Sequence, residues 1–153
     1  MNENANQILP RLWLGNKSAS VDMEFLQRNS ITVVFNCTKN LPFSSTITKK
    51  YRVPIDDNLE EIEIANLEKW APEIVYKIRK EYAAGRTILI HCHAGIQRSA
   101  AVMAMTLIVL LGEPLSNIMA YIRSKRPVAF FPRANFLEAM RGFEASWKQT
   151  TVA

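Results

Sequence analysis

Both histidines of the chain, His91 and His93, flank Cys92, and five residues separate that cysteine from Arg98 and Ser99. A thiol, a guanidinium and a hydroxyl so spaced can carry out nucleophilic chemistry on an anion. Residues 90–112 (IHCHAGIQRSAAVMAMTLIVLLG) read as a strand end, a tight loop and a long apolar helix. A backbone climbing from a strand to a helix start leaves successive N–H groups without partners, and these face whatever sits in the bend. Gly95 permits the conformation that the bend demands, and Arg98 adds a planar cation with several donors at the first helical turn. The loop His93, Ala94, Gly95, Ile96, Gln97 and Arg98 therefore suits an oxyanion, phosphate above all. Cys92 lies at its floor, where the N–H dipoles and Arg98 favour thiolate over thiol. Ser99 can donate its hydroxyl to the sulfur, cap the helix, or do both. The bland alternative for Cys92 is an inert thiol packed at a strand end.

Hydrophobic periodicity supplies the elements that must position this loop. Residues 8–15 (ILPRLWLG) alternate Leu12 and Leu14 with Arg11 and Trp13 and end in glycine, as a first strand does. Ser18 or Ser20 is placed to cap a helix to about Asn29, with Phe25 and Leu26 inward. Residues 31–37 (ITVVFNC) form a near-continuous apolar run, the pattern of a strand covered on both faces. A loop over 41–48 and a short strand over 51–55 follow. Residues 62–82 carry Ile64, Leu67, Trp70, Ile74, Val75 and Ile78 at helical spacing, with Pro72 predicting a kink or break and Gly85 a stop. Residues 87–90 form the central strand that delivers Cys92, and the helix after Arg98 is apolar nearly all round until Gly112. Residues 114–123 begin with proline and end near Arg123, Lys125 and Arg126, cations that suit a helix C-terminus and otherwise read as a solvated face. A last helix over 135–147 puts Phe136, Met140, Phe143 and Trp147 on one stripe. Strands alternating with helices predict a single α/β domain. Its central, mostly parallel twisted sheet should have about four to five strands, helices on both faces, and the anion loop between central strand and helix.

Composition narrows the classes. A chain of 153 residues, 48% hydrophobic, suits one globular domain with a real core. Two cysteines, Cys37 and Cys92, are too few for a disulfide scaffold and point to a reducing compartment. The longest apolar run, 100–111, is too short to cross a bilayer, and the polar start MNENANQ lacks a basic region followed by an apolar one. A cytoplasmic or nuclear protein without membrane association is the expectation. A net charge of +5 and a pI near 9.4 favour anionic partners of any kind, phosphoproteins as much as nucleic acid. His91 and His93 bracket Cys92 too tightly for ordinary zinc spacing, so no metal and no cofactor is expected.

His91-Cys92, five residues and Arg98-Ser99 match the HCxxxxxRS signature of cysteine-dependent protein phosphatases. The fuller HCxxGxxRS resembles the small atypical dual-specificity branch, of poxvirus type, in the protein tyrosine phosphatase superfamily. ILPRLWLGNKSAS is similar to that family's opening, ITVVFNCT to its second core strand, VPIDDN to its general-acid loop and AYIRSKRP to the segment after its catalytic helix. Their order around HCHAGIQRS extends the resemblance over almost the whole chain. Three positions depart: His93 is variable in relatives, Ala100 follows Ser99 where glycine is frequent, and Asn135 replaces a common glycine before the closing aromatic residue.

The resemblance implies a catalytic domain over 8–148, a flexible N-terminus over 1–7 and a C-terminal tail over 149–153. It implies hydrolysis of phosphotyrosine and phosphoserine or phosphothreonine monoesters in proteins, through a phosphocysteine on Cys92. Asp57, immediately before Asn58, is the implied general acid, with Asp56 second. His91 orders the loop as a buried ring, and His93 lies at its rim. Cys37 is either a packed side chain or, as in some relatives, a resolving thiol. A shallow pocket rimmed by His93, Gln97 and residues 129–131 is expected, because residues 8–15 supply none of the wall that deepens the tyrosine-specific pocket. The alternatives are an RNA 5′-phosphatase or phosphoinositide phosphatase, and a phosphopeptide-binding module. The loop has no lysine for phosphoinositides, no aromatic-basic platform for single strands is evident, and Cys92, Arg98 and Asp57 together argue against a silent module. A phosphorylated protein is the expected partner, with no obligatory nucleic acid.

Overall fold

A computed structural model describes residues 4–152, with side chains to Thr150. The chain opens with an antiparallel hairpin of β1 (Ala5–Leu9) and β2 (Leu12–Gly15), where the sequence predicts one strand over 8–15. Pro10 has no N–H for a ladder and Arg11 takes φ 66°, so the chain reverses there while Leu12 and Leu14 stay inward. β1 starts inside the stretch 1–7 expected to be flexible. The expected helix to Asn29 is two, α1 (Lys17–Ser20) and α2 (Met23–Arg28). Asn16 and Asp22, not Ser18 or Ser20, accept the orphan N–H groups of Ala19 and Phe25.

β3 (Ile31–Asn36) comes as expected, and β4 (Lys49–Arg52) pairs two residues earlier than the predicted 51–55. Pro54 cannot donate to the ladder, and Ile55 N–H turns back to the Val53 carbonyl at 2.9 Å. α3 (Glu61–Ala83) is continuous through Pro72, because its buried stripe of Leu67, Ala71, Ile74, Val75 and Ile78 holds the helix on both sides of the lost hydrogen bond. β5 (Thr87–His91), α4 (Arg98–Leu111), α5 (Leu115–Lys125) and α6 (Leu137–Val152) complete the chain. α6 starts two residues later than predicted and runs into the stretch 149–153 expected to be a tail.

The five strands lie in the order β1-β2-β5-β3-β4, parallel except for the opening hairpin. β5 is central. Alternation explains the continuous apolar runs: Val33, Phe35, Ile88 and Ile90 face the layer of α3 to α6, whereas Val34 and Leu89 face Phe25 and Leu26 on the other side. α4 is buried from Ser99 to Ile108 in the middle of the helical layer. Gly15 and Asn36 both pair with His91, so three parallel strands end together beneath one loop.

Candidate active site

The loop after β5 is shaped by contacts from five segments of the chain. Cys37 N–H extends the β3–β5 ladder to His91 O at 2.8 Å, which fixes the strand end just before Cys92. Gly95 has φ 69°, and a Cβ there would stand 2.5 Å from Gly15 O, so the bend needs glycine both for its conformation and for its approach to β2. Lys17 N–H at the start of α1 donates to His93 O at 3.0 Å, and Phe130 N–H donates to Ile96 O at 2.8 Å. From behind, Arg126 donates through Nε to Gly95 O at 2.8 Å, through Nη2 to Ala94 O at 3.1 Å and through Nη1 to Asn6 Oδ1 at 2.9 Å.

Cys92 is buried at the floor, with Sγ 3.1 Å from Ser99 Oγ on the first turn of α4. Arg98 donates through Nη1 to Ile55 O at 3.0 Å, and its Nε is buried without a partner among the described residues. That leaves a guanidinium donor available to a ligand of the cradle. His91 is fully buried, with Nδ1 3.2 Å from Cys92 O. Desolvation pushes its pKa down to about 4, opposed by that hydrogen bond, so the ring is neutral. Burial pushes the Cys37 thiol up, and the proximity of Cys92 adds to this.

The two aspartates lie in different company. Asp56 is ion-paired to Lys39 at 3.0 Å, and its N–H donates to Glu63 Oε1 at 2.9 Å. Glu63 also binds Lys39, and the bonds from Asp56 N–H and Lys39 hold its carboxyl below the usual carboxylate range. Asp57 is exposed and meets the closing loop instead, accepting from Asn135 Nδ2 at 2.9 Å. The geometry thus joins Asp57, rather than Asp56, to the loop that touches the cradle.

The expected pocket rim is corrected in part. Gln97 is buried and serves as a clamp: Nε2 donates to Phe131 O at 3.1 Å and Arg133 O at 2.7 Å, while Oε1 accepts from Asn135 N–H at 2.9 Å. Ala129 and Phe130 are core, leaving His93 and Phe131 exposed, the latter by 70%. The solvated basic face expected near the end of α5 does not extend to Arg126, which is 2% exposed. Burial lowers its pKa, and charge on Cys92 opposes that effect. Its position as the residue after α5, with extended backbone at φ −132°, turns it inward, and nothing in the spacing of Arg123, Lys125 and Arg126 distinguishes it.

A buried thiol with a hydroxyl neighbour, an open guanidinium donor and a carboxyl from an opposing loop can together support displacement at a phosphorus centre. The family model "dual specificity phosphatase, catalytic domain" matches residues 12–146. Human dual specificity protein phosphatase 16 is 30% identical over 149 residues, 96% of this chain and 22% of its own length. The Drosophila melanogaster dual specificity protein phosphatase Mpk3 is 31% identical over 148 residues, 94% of this chain and 35% of its own length. The chain thus spans about a fifth to a third of these two relatives. The solved structure of human DUSP28 superposes with a TM-score of 0.80 at 26% identity, covering 97% of each chain. That of DUSP15 gives 0.85 at 25% identity, covering 97% of this chain and 92% of the other. The chain belongs to the dual specificity phosphatase catalytic-domain family.

Proposed function

We propose that this protein hydrolyses phosphotyrosine and phosphoserine or phosphothreonine monoesters in proteins. The observation that carries the reading is the buried Arg98 Nε, a charged donor left open in a loop whose own shape is held by protein contacts. A phosphate dianion matches it: two oxygens for the guanidinium fork and the remaining charge for the backbone N–H groups. The Cys92 thiolate forms a bond to phosphorus as the ester P–O bond breaks, and Asp57 gives its proton to the departing oxygen. Water then attacks the phosphocysteine, Asp57 takes a proton from it, and the S–P bond breaks to release phosphate. The Ser99 hydroxyl stabilises the thiolate as attacker and as leaving group. Breadth of substrate follows from a shallow entrance. The β1–β2 turn cannot wall the cradle, because Arg11 is held at the opposite end of β5, donating to the Tyr82 and Arg86 carbonyls at 2.9 Å each.

The test is hydrolysis of phosphotyrosine and phosphothreonine peptides, a phosphoinositide and a 5′-triphosphorylated RNA at one physiological ionic strength, where nonspecific attraction to a basic protein is screened. Turnover of both peptides, faster for the aryl ester, is expected. Cys92→Ser should lose turnover yet still bind vanadate, and Arg98→Lys should be severely impaired because one ammonium cannot replace a fork. A strong preference for RNA, or full activity in Cys92→Ser, would overturn the reading.

A further inference from the structure

Among the described residues, one hydrogen bond positions the Asp57 side chain. The backbone of its loop is pinned at two places, by Arg98 on Ile55 O and by Glu63 on Asp56 N–H, but neither bond restrains the Asp57 carboxyl. The carboxyl itself accepts from Asn135 Nδ2. Asn135 is in turn registered to the cradle, since its backbone N–H donates to Oε1 of Gln97, the residue just before Arg98. The same Gln97 fixes the two sides of the closing loop through the Phe131 and Arg133 carbonyls. Every polar atom of the Gln97 amide is thus engaged in holding residues 131–135 against the cradle.

We propose that Asn135 is a positioning residue that sets the Asp57 carboxyl over the cradle before substrate arrives. The proposal rests on the phosphatase reading above and deepens it. Two consequences follow from the chemistry of the contact. The amide N–H donates, and in protonated Asp57 the carbonyl oxygen is the stronger acceptor, so the contact favours Oδ1 as the carbonyl and the acidic proton on Oδ2, facing the leaving group. The contact also spans the acid loop and the nucleophile loop through side chain and main chain of one residue, so a rigid distance replaces a search by an exposed aspartate. Glycine at this position would keep the main-chain bond to Gln97 and lose the bond to Asp57.

Asn135 could instead serve only to start α6, which begins at Leu137, and the test separates the two roles. Asn135→Ala keeps the backbone donor to Gln97. Asn135→Asp is isosteric and remains a good helix-start residue, but offers a carboxylate where Asp57 needs a donor. Single-turnover and steady-state rates are compared for phenyl phosphate, a poor leaving group, and a dinitrophenyl phosphate, which needs little protonation. Both variants should lose about tenfold or more in the single-turnover rate of Cys92 phosphorylation by phenyl phosphate and less than about twofold in that by the activated ester, with vanadate affinity unchanged. In an Asp57→Asn background, Asn135→Ala should cost nothing further. Equal losses on both esters, an additional loss without Asp57, or wild-type behaviour of Asn135→Asp would overturn the proposal. If Asp57→Asn shows the leaving-group-selective loss and the Asn135 variants do not, the positioning role falls while the phosphatase reading stands. If the unaltered protein hydrolyses neither ester, both fall.

Discussion

Arg126→Met tests whether the anion cradle is held from outside or by its own turn. The guanidinium is 2% exposed and donates to Gly95 O, Ala94 O and Asn6 Oδ1 at 2.8, 3.1 and 2.9 Å. Methionine keeps most of the apolar stem and removes the donors. Ala94 is exposed, so its carbonyl can turn to water, whereas Gly95 is buried and its carbonyl would be left unsatisfied at a cost of about 1–3 kcal/mol. The bond to Asn6 adds roughly another 1–2 kcal/mol, and relief from burying a cation offsets part of the sum. The net expectation is a loss of about 2–4 kcal/mol, which in a chain of this size lowers the melting temperature by roughly 5–12 °C. Because the two released carbonyls belong to the loop proposed to bind the anion, vanadate affinity should fall by about tenfold as well. Arg126→Lys should lie between the two, since a single ammonium cannot span three separated acceptors. Urea titration and thermal melting, each with and without vanadate, give both numbers. A methionine variant that melts within about 2 °C of the parent and binds vanadate equally would show that the loop shapes itself.

Three further outcomes are expected. The pKa of His91 is held at about 4 by burial, against about 6.5 in the unfolded chain, so the unfolded state takes the proton first as pH falls. That contribution is complete above about pH 6.5 and is lost progressively toward 4, roughly 2 kcal/mol between pH 7 and 5; His91→Asn should melt with a flatter pH dependence over that interval, and parallel curves would contradict the argument. Asp57→Asn should slow an alkyl phosphate far more than an activated aryl phosphate and remove the basic limb of the pH profile, whereas Asp56→Asn should cost little catalysis and some stability through Lys39; the reverse pattern would exchange their roles. Gly95→Ala must hold a positive φ and put a methyl against the Gly15 carbonyl, so it should lose more than about 1–2 kcal/mol together with anion binding, and a variant that keeps both would show that the β2 end yields.

The central strand, its loop and the buried helix were legible because each announces itself locally: β-branched residues in an unbroken run, glycine at the bend, an apolar face all round α4. The hairpin was hidden in the same kind of signal, since Leu12 and Leu14 alternate correctly whether or not the chain reverses at Pro10 and Arg11. Capping failed for a related reason: several polar residues near residues 16–22 can accept an orphan N–H, and the winner is decided by where the preceding strand ends. The side-chain contacts of Arg126, Gln97 and Asn135 were not legible because their partners lie 31 to 120, 34 to 38, and 38 to 78 residues away. A polar side chain that serves a distant backbone carries the same letter as one that serves solvent.

The bond between Arg126 and Asn6 joins positions 120 apart in the chain, and it has a consequence for the order in which the protein is made. On the ribosome Cys92 is synthesised 34 residues ahead of Arg126 and 43 ahead of Asn135, by subtraction of their positions. At about 5–20 residues per second Cys92 precedes by some 2–9 seconds the residues that hold its loop and contact Asp57. Throughout that interval a nascent chain carries a cysteine but no finished anion site. The loop around Cys92 therefore takes its shape late, when the downstream segment folds back onto the first strand, and an interrupted translation product carries Cys92 without the contacts that hold that loop.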